Sequence, residues 1–173
     1  MTLIVGIDPG SHRLGYAAIE ADGQNLRYLA HGTLKAPSRE PLHRRLAFLH
    51  ARLREVLEES SQLGQGKPVE VAIERVFTAK NQASALTLGQ ARGIILLAVG
   101  QCGYELAEYA PAEVKKAVTG NGRASKAQVA AMVGRILGVR VSPKESDSTD
   151  ALAMAICHAA NLQAKSLTDR LGA

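Results

Sequence analysis

Apolar and polar positions change period several times along the chain, and each change predicts an element. The run TLIVGID over residues 2–8 is nearly continuous in apolar character and predicts a buried strand. Residues 14–20 and 25–34 read as two more strands, joined through Asp22-Gly23, a dipeptide suited to a tight hairpin. Three strands in succession predict an antiparallel meander. From residue 42 to 57 the period lengthens: Leu42, Leu46, Leu49, Leu53, Val56 and Leu57 recur at helical spacing, with arginines between them. A polar, glycine-containing loop is expected over 60–68, then a strand VEVAIE over 69–74 and a helix over 81–101. Residues 104–110 predict a short strand. Helices follow over 110–120, with Pro111 near the start, over 125–138, capped by Ser125, and over 146–164. Three antiparallel strands followed by right-handed crossovers make a mixed sheet with helices on its faces.

The length of 173 residues suits one domain spanning 1–173, with a tail after about 165 expected to fray. Apolar residues make up 46% of the chain and charged residues 21%, which excludes a disordered or fibrous protein. Neither a secretory leader nor an apolar window of membrane-spanning length is evident, so a cytoplasmic location without membrane contact is expected. Cys102 and Cys157 are far apart and form no CxxC pair, which points to inert core thiols rather than zinc or a disulfide framework. The net charge of +5 is compatible with a polyanionic partner, more so if several acids are committed to metal.

Alternation along the strands places Asp8 on the face of Ile4 and Gly6, where the glycine leaves room, and Glu74 on the face of Ala72. A right-handed crossover makes those two strands parallel and brings both acids to one end of the sheet, the edge where open sheets carry their sites. In ESDSTD, Asp147 and Asp150 lie three apart in the first turn of the last helix, on one face. Four carboxylates meeting at one corner would repel each other and imply a hard cation, Mg²⁺ or Mn²⁺. Two such ions suit phosphodiester hydrolysis without a Ser or Cys nucleophile. Each acid also has a plainer reading: Asp8 as a turn residue before Pro9-Gly10, Asp147 and Asp150 as complements to a helix N-terminus. An acid ending a core strand, as Glu74 does, gains nothing from a turn or a dipole. His158 lies about 12 Å along the helix from Asp150, at 1.5 Å per residue, and reads as structural. His12 reads as a surface residue.

The segments GIDPGS (6–11), AIERVFTAKN (72–81), LGQARG (88–93) and DSTDALAMAICH (147–158) together resemble the RuvC family of Holliday junction resolvases. The resemblance covers nearly the whole chain. It implies a ribonuclease-H-like α/β fold, a homodimer, and an Mg²⁺-dependent endonuclease with two ions per subunit that makes paired nicks in a four-way DNA junction. It matches Asp8, Glu74, Asp147 and Asp150 to the catalytic, metal-binding carboxylates, Lys115 and Lys126 to basic residues near the scissile region, and Phe77 to a base-stacking aromatic. It also implies the branch-migration proteins RuvA and RuvB as partners. Arg75 stands where the family often has Gln, which bears on sequence preference at the cut.

Further DNA contacts are expected from Arg75 and Lys80 beside Phe77, and from Lys116 and Arg123 beside Lys115 and Lys126, in a glycine-containing loop that runs into a helix N-terminus. Phe77 also fits a residue stapling its helix to the core. The helix after Asn81 carries Ala83, Gly89, Gly93 and Gly100 among apolar residues, which suits either a two-fold interface or a core helix. Two other functions share parts of the pattern. GIDPGS also resembles the phosphate hairpin of actin-like ATPases and sugar kinases, but those need two such domains. A non-catalytic DNA-binding module is the third reading.

Overall fold

The computed structural model describes residues 1–75, 82–141 and 146–172. Among them, ten elements follow in the order β1 (Thr2–Asp8), β2 (Arg13–Asp22), β3 (Asn25–Lys35), α1 (Leu42–Leu63), β4 (Val69–Glu74), α2 (Gln82–Cys102), β5 (Glu105–Tyr109), α3 (Pro111–Thr119), α4 (Lys126–Leu137) and α5 (Ser146–Leu171). The strands form a sheet ordered β3-β2-β1-β4-β5. β1–β2 and β2–β3 pair antiparallel, β1–β4 and β4–β5 parallel, as the expected meander and crossovers require. The β2–β3 turn is two residues, Gly23 and Gln24, with Gly23 at φ 60°, the sign a tight hairpin needs at its first central position.

Strand alternation divides the core in two. Leu3, Val5 and Ile7 join Leu14, Val71 and Ile73 under α1 and α2, packed on Leu49, Leu53, Leu57 and Ile95. Ile4, Ala17, Ile19 and Ala72 face the other way, against α5, α3 and α4. The α5 side is lined by a row of small residues crossing four strands in register: Ala17, Gly6, Ala72 and Ala107. A Cβ on Gly6 would stand 2.0 Å from the carbonyl oxygen of Ala151, and one on Gly15 would stand 2.1 Å from that of Asp147. Helix α5 therefore rests on strand backbone, and the room beside Asp8 that the sequence assigns to Gly6 is filled by this helix.

Helix ends depart from expectation in two places. α1 continues through the segment expected to be a polar loop to Leu63, because Glu, Ser and Gln are tolerated in a helix, Ser60 is buried in line with Val56 and Leu57, and no breaker comes before Gly64. α5 likewise continues past Ala164 to Leu171, with Thr168 Oγ1 donating to the Ala164 carbonyl. A third correction concerns α2, which is long and apolar enough by length and composition to cross a membrane, with a mean hydropathy of 1.4 over its best window. One face of it, Ala91, Ile95, Ala98 and Val99, is buried in the protein's own core. The short helices end as expected: Ser125 and Gln128 form a reciprocal capping box on α4, and Gly120 and Gly138 close α3 and α4 in the left-handed conformation.

Replacing Gly6 by Ala forces β1 and α5 apart. Overpacking of this kind typically costs ~1–3 kcal/mol, and here the obstacle is backbone that cannot rotate away. Urea unfolding of Gly6→Ala is expected to show a loss at the top of that range; an unchanged midpoint would show that α5 does not sit on the strand as described.

Candidate functional site

The close seat of α5 brings acids from three elements to the same edge. Asp8 ends β1, Glu74 ends β4, and Asp147 and Asp150 occupy the first turn of α5. All four line one cavity of about 360 Å³, together with Lys115, Lys126, Val114, Val129 and Met154. A larger cavity of about 620 Å³ opens beside Lys126 and Asp150, but Ala130, Ala131, Gly134 and Val139 make it apolar, and among the described residues it holds no further acid.

The electrostatics of the acid cavity are strained. Burial, then the charges of Asp150, Glu74 and Asp147, push the Asp8 carboxyl from 3.8 up to about 7. Glu74 is raised by burial and by Asp150, with Lys126 and Lys115 opposing. Two cations hold the remaining acids. Lys126 Nζ donates to Asp150 Oδ2 at 2.8 Å, which raises the lysine's own pKa. Arg13 Nε lies 2.7 Å from Asp147 Oδ2 but off its hydrogen-bonding direction, so that buried oxygen has no hydrogen-bond donor.

Among the described residues no three His, Cys, Asp or Glu side chains stand together in ligating geometry. Each α5 acid leans on a basic side chain. The donor set nonetheless fits a hard divalent ion: four carboxylates around one cavity, one oxygen already stripped of donors, and one carboxyl whose pKa burial and the neighbouring acids raise to about 7.

The other expected contacts divide. Lys115 and Lys126 line the cavity. Lys116 and Arg123 are exposed and do not. Arg75 is exposed and turns toward β5, where its Nη2 donates to the Glu108 carbonyl and its backbone N–H to that of Tyr109. Phe77 and Lys80 lie outside the described residues. His158 is buried, bonded through Nδ1 to the Tyr109 hydroxyl at 2.7 Å and through Nε2 to Glu70 at 3.0 Å, in keeping with a structural role. Burial pushes the Cys157 thiol up to about 12.

Two residues at the site escape the sequence patterns. Arg13 reaches Asp147 from the start of β2, and the only signal for it is its place in the hairpin that carries Asp8. Arg92 on α2 donates from Nη1 to the Glu74 carbonyl at 2.8 Å and from Nη2 to Glu108, fastening the ends of β4 and β5. No local pattern foretells that contact.

The chain is similar to known proteins over most of its length. The family model for crossover junction endodeoxyribonuclease RuvC matches residues 4–158. Crossover junction endodeoxyribonuclease RuvC of Azorhizobium caulinodans is 46% identical over 159 residues, covering 92% of this chain and 90% of that one. The protein of the same name from Moorella thermoacetica is 45% identical over 157 residues, covering 91% and 90%. Among solved structures, Thermus thermophilus RuvC in complex with Holliday junction substrate matches with a TM-score of 0.83 at 33% identity, covering 96% of this chain and 98% of that one. The mixed sheet and its helices are thus a ribonuclease-H-like fold.

The raised pKa of Asp8 links stability to pH in a definite direction. An acid whose folded pKa exceeds its unfolded value disfavours folding once it must ionise, so its contribution worsens as pH climbs from about 4 to about 7 and is worst above that. In metal-free protein, Asp8→Asn should therefore raise the melting temperature at pH 8, by a free energy on the order of a few kcal/mol, and the advantage should vanish toward pH 4. Melting curves in EDTA across this range check it; a gain independent of pH would contradict it.

Proposed function

The chain belongs to the crossover junction endodeoxyribonuclease RuvC family, and from that premise we propose that Asp8, Glu74, Asp147 and Asp150 hold the divalent ions with which it cuts four-way DNA junctions. The protein is a Holliday junction-resolving endonuclease of DNA recombination and repair. The observation that carries the assignment to these residues is the convergence of all four acids on one cavity between basic side chains.

Carboxylate oxygens favour Mg²⁺, with Mn²⁺ as a substitute, and two ions per subunit suit four acids. When bound, such ions polarise a phosphoryl oxygen and bring the ionisation of water into the neutral range. The chain's own residues do the rest. Asp8 and Glu74 are mounted on strand ends that cannot drift, while α5 presents Asp147 and Asp150 from one turn. Lys115 and Lys126, at the rim, are placed to hold a phosphate against the acids. Lys116 and Arg123, one on α3 and one in the loop before α4, extend that contact along the backbone, and Arg75, Phe77 and Lys80 are assigned to the bases and phosphates around the cut.

A homodimer fits the outer face of α2. Leu86, Leu96 and Leu97 are exposed there, and Gly89, Gly93 and Gly100 fall at the same helical spacing with open space beyond each. Two copies related by a two-fold axis would set one acid cavity on each of two strands of a two-fold junction. Residues 1–173 act as one nuclease domain in this reading, at a soluble, cytoplasmic location, with RuvA and RuvB as partners on family grounds.

Two experiments test this. A synthetic mobile four-way junction incubated with protein and Mg²⁺ should receive paired symmetric nicks, abolished by EDTA. Loss of a residue merely supporting a metal ligand costs ~10–100-fold, so Asp8→Asn or Glu74→Gln should slow cleavage by more than about 100-fold; equal cleavage by either variant would refute the assignment. Separately, Leu97→Asp should turn a dimer into a monomer in sedimentation and uncouple the two nicks. A dimer that survives it would place the interface elsewhere.

A further inference from the structure

The start of α1 breaks the electrostatic rules that helices obey. Its N-cap is Pro41, with no side-chain cap, and its first turn holds no acid; His43, Arg44 and Arg45 occupy it instead. The positive end of a helix dipole disfavours these residues and favours anions. A second violation lies beside it. Arg13 and Lys35, both exposed, are direct register partners on β2 and β3, and like charges opposed across strands destabilise a sheet.

The two violations belong to one surface. The backbone N–H of Ala36 donates to the His12 carbonyl at 2.9 Å, and the Arg45 guanidinium lies against the His12 ring, so the β1–β2 turn, the end of β3 and the start of α1 are fastened together. Carboxylates on this surface are few. Glu40 pairs with Arg44 at 3.2 Å and Asp147 with Arg13, whereas among the described residues Lys35, Arg39 and Arg45 form no ion pair. Further along the same helix, Arg52 pairs with Glu55 and Arg54 with Glu58. Along α1, among the described residues, Arg44, Arg52 and Arg54 pair with acids and Arg45 does not.

Position completes the argument. In the sheet order, β2 and β3 lie on one side of β1, and β4 and β5 on the other. Lys115, on α3 after β5, serves the Glu74 side of the acid cavity; Arg13 touches Asp147 from the opposite side. A nucleic-acid strand laid across the acids meets cations at both ends of its path only if this second surface binds phosphate.

We propose that Arg13, Lys35, Arg39 and Arg45, at the uncapped start of α1, form a second phosphate-binding ledge that holds the sugar–phosphate backbone of a junction arm on the β2–β3 side of the acid cavity. This rests on the reading of the protein as a junction nuclease. The ledge contributes affinity and orientation without base recognition, so its signature is salt dependence.

The test uses the full chain in EDTA, to prevent cleavage, with a fluorescent synthetic four-way junction titrated over a range of salt. Removing one cation that neutralises a phosphate should lower the slope of log affinity against log salt by about 0.9. The double variant Lys35→Gln, Arg39→Gln should therefore lose about two units of slope and bind about tenfold or more weakly at low salt, and adding Arg45→Gln should lower both again. Because Arg45 is half-buried, the double variant, whose sites are exposed, carries the test if the triple variant melts early. Arg52→Gln with Arg54→Gln removes the same charge from the paired stretch of α1 and should leave the slope unchanged. An unchanged slope in the Lys35, Arg39 variant, or an equal fall in the Arg52, Arg54 control, overturns the ledge while junction binding by the unmodified protein stands. Absence of that binding overturns the functional reading and the ledge with it.

Discussion

Everything at the acid cavity depends on one contact, the laying of α5 directly on the backbone of β1 and β2. Gly6 and Gly15 are the residues that permit it, since a methyl group at either would overlap a carbonyl oxygen of the helix. Flanking Ala17, Ala72 and Ala107 keep the bed shallow across four strands. The first turn of α5 is thereby carried in beside the end of β1, and Asp147 and Asp150 come to rest near Asp8. With larger residues in that row, the same helix and strands would pack at an ordinary spacing, and the acids would be held further apart.

That proximity has an electrostatic cost. Asp8 bears most of it, because it is the most deeply placed of the four and feels the other three. Lys126 and Arg13 relieve Asp150 and Asp147 from opposite flanks. Lys126 also opposes the rise at Asp8, without overcoming burial and the neighbouring acids. Burial and the neighbouring acids thus dominate at Asp8, while Asp150 and Asp147 face side chains long enough to swing toward a phosphate.

Much of this is legible in the sequence because it is local. Periods of two and of three to four residues locate the strands and helices, Asp22-Gly23 the hairpin, Ser125 a cap, and Asp147 with Asp150 one helix face. The handedness of crossovers puts Asp8 and Glu74 at one sheet edge, and the resemblance then joins them to the α5 acids. What escapes is set by partners distant in the chain. Strand alternation makes Gly6 room for an acid when it is room for a helix; Arg13 and Arg92 reach Asp147 and the Glu74 carbonyl across folds of the chain that no spacing reveals. The end of α1 escapes for the opposite reason: its polar residues have the composition of a loop, but burial of Ser60 on the core face continues the helix.

Most departures from local rule gather in one place, Gln65 in the left-handed region at φ 53° standing apart from them. Where the chain is merely structural it is consistent: a reciprocal capping box opens α4, left-handed glycines close α3 and α4, and exposed arginines on α1 meet acids one turn away. Glycines inside strands, a buried acid at a strand end, an uncapped helix start loaded with arginine, and like charges paired across β2 and β3 all fall at one edge of the sheet. The acids and the basic groups are unfavourable alone, and each becomes favourable with a partner of opposite charge: cations for the acids, and for the surrounding basic groups a polyanion lying across them. A phosphodiester backbone, as the proposed substrate, would answer the basic groups, and the proposed divalent ions the acids. The same edge would gain little from a neutral ligand, which could answer neither the acids nor the arginines beside them.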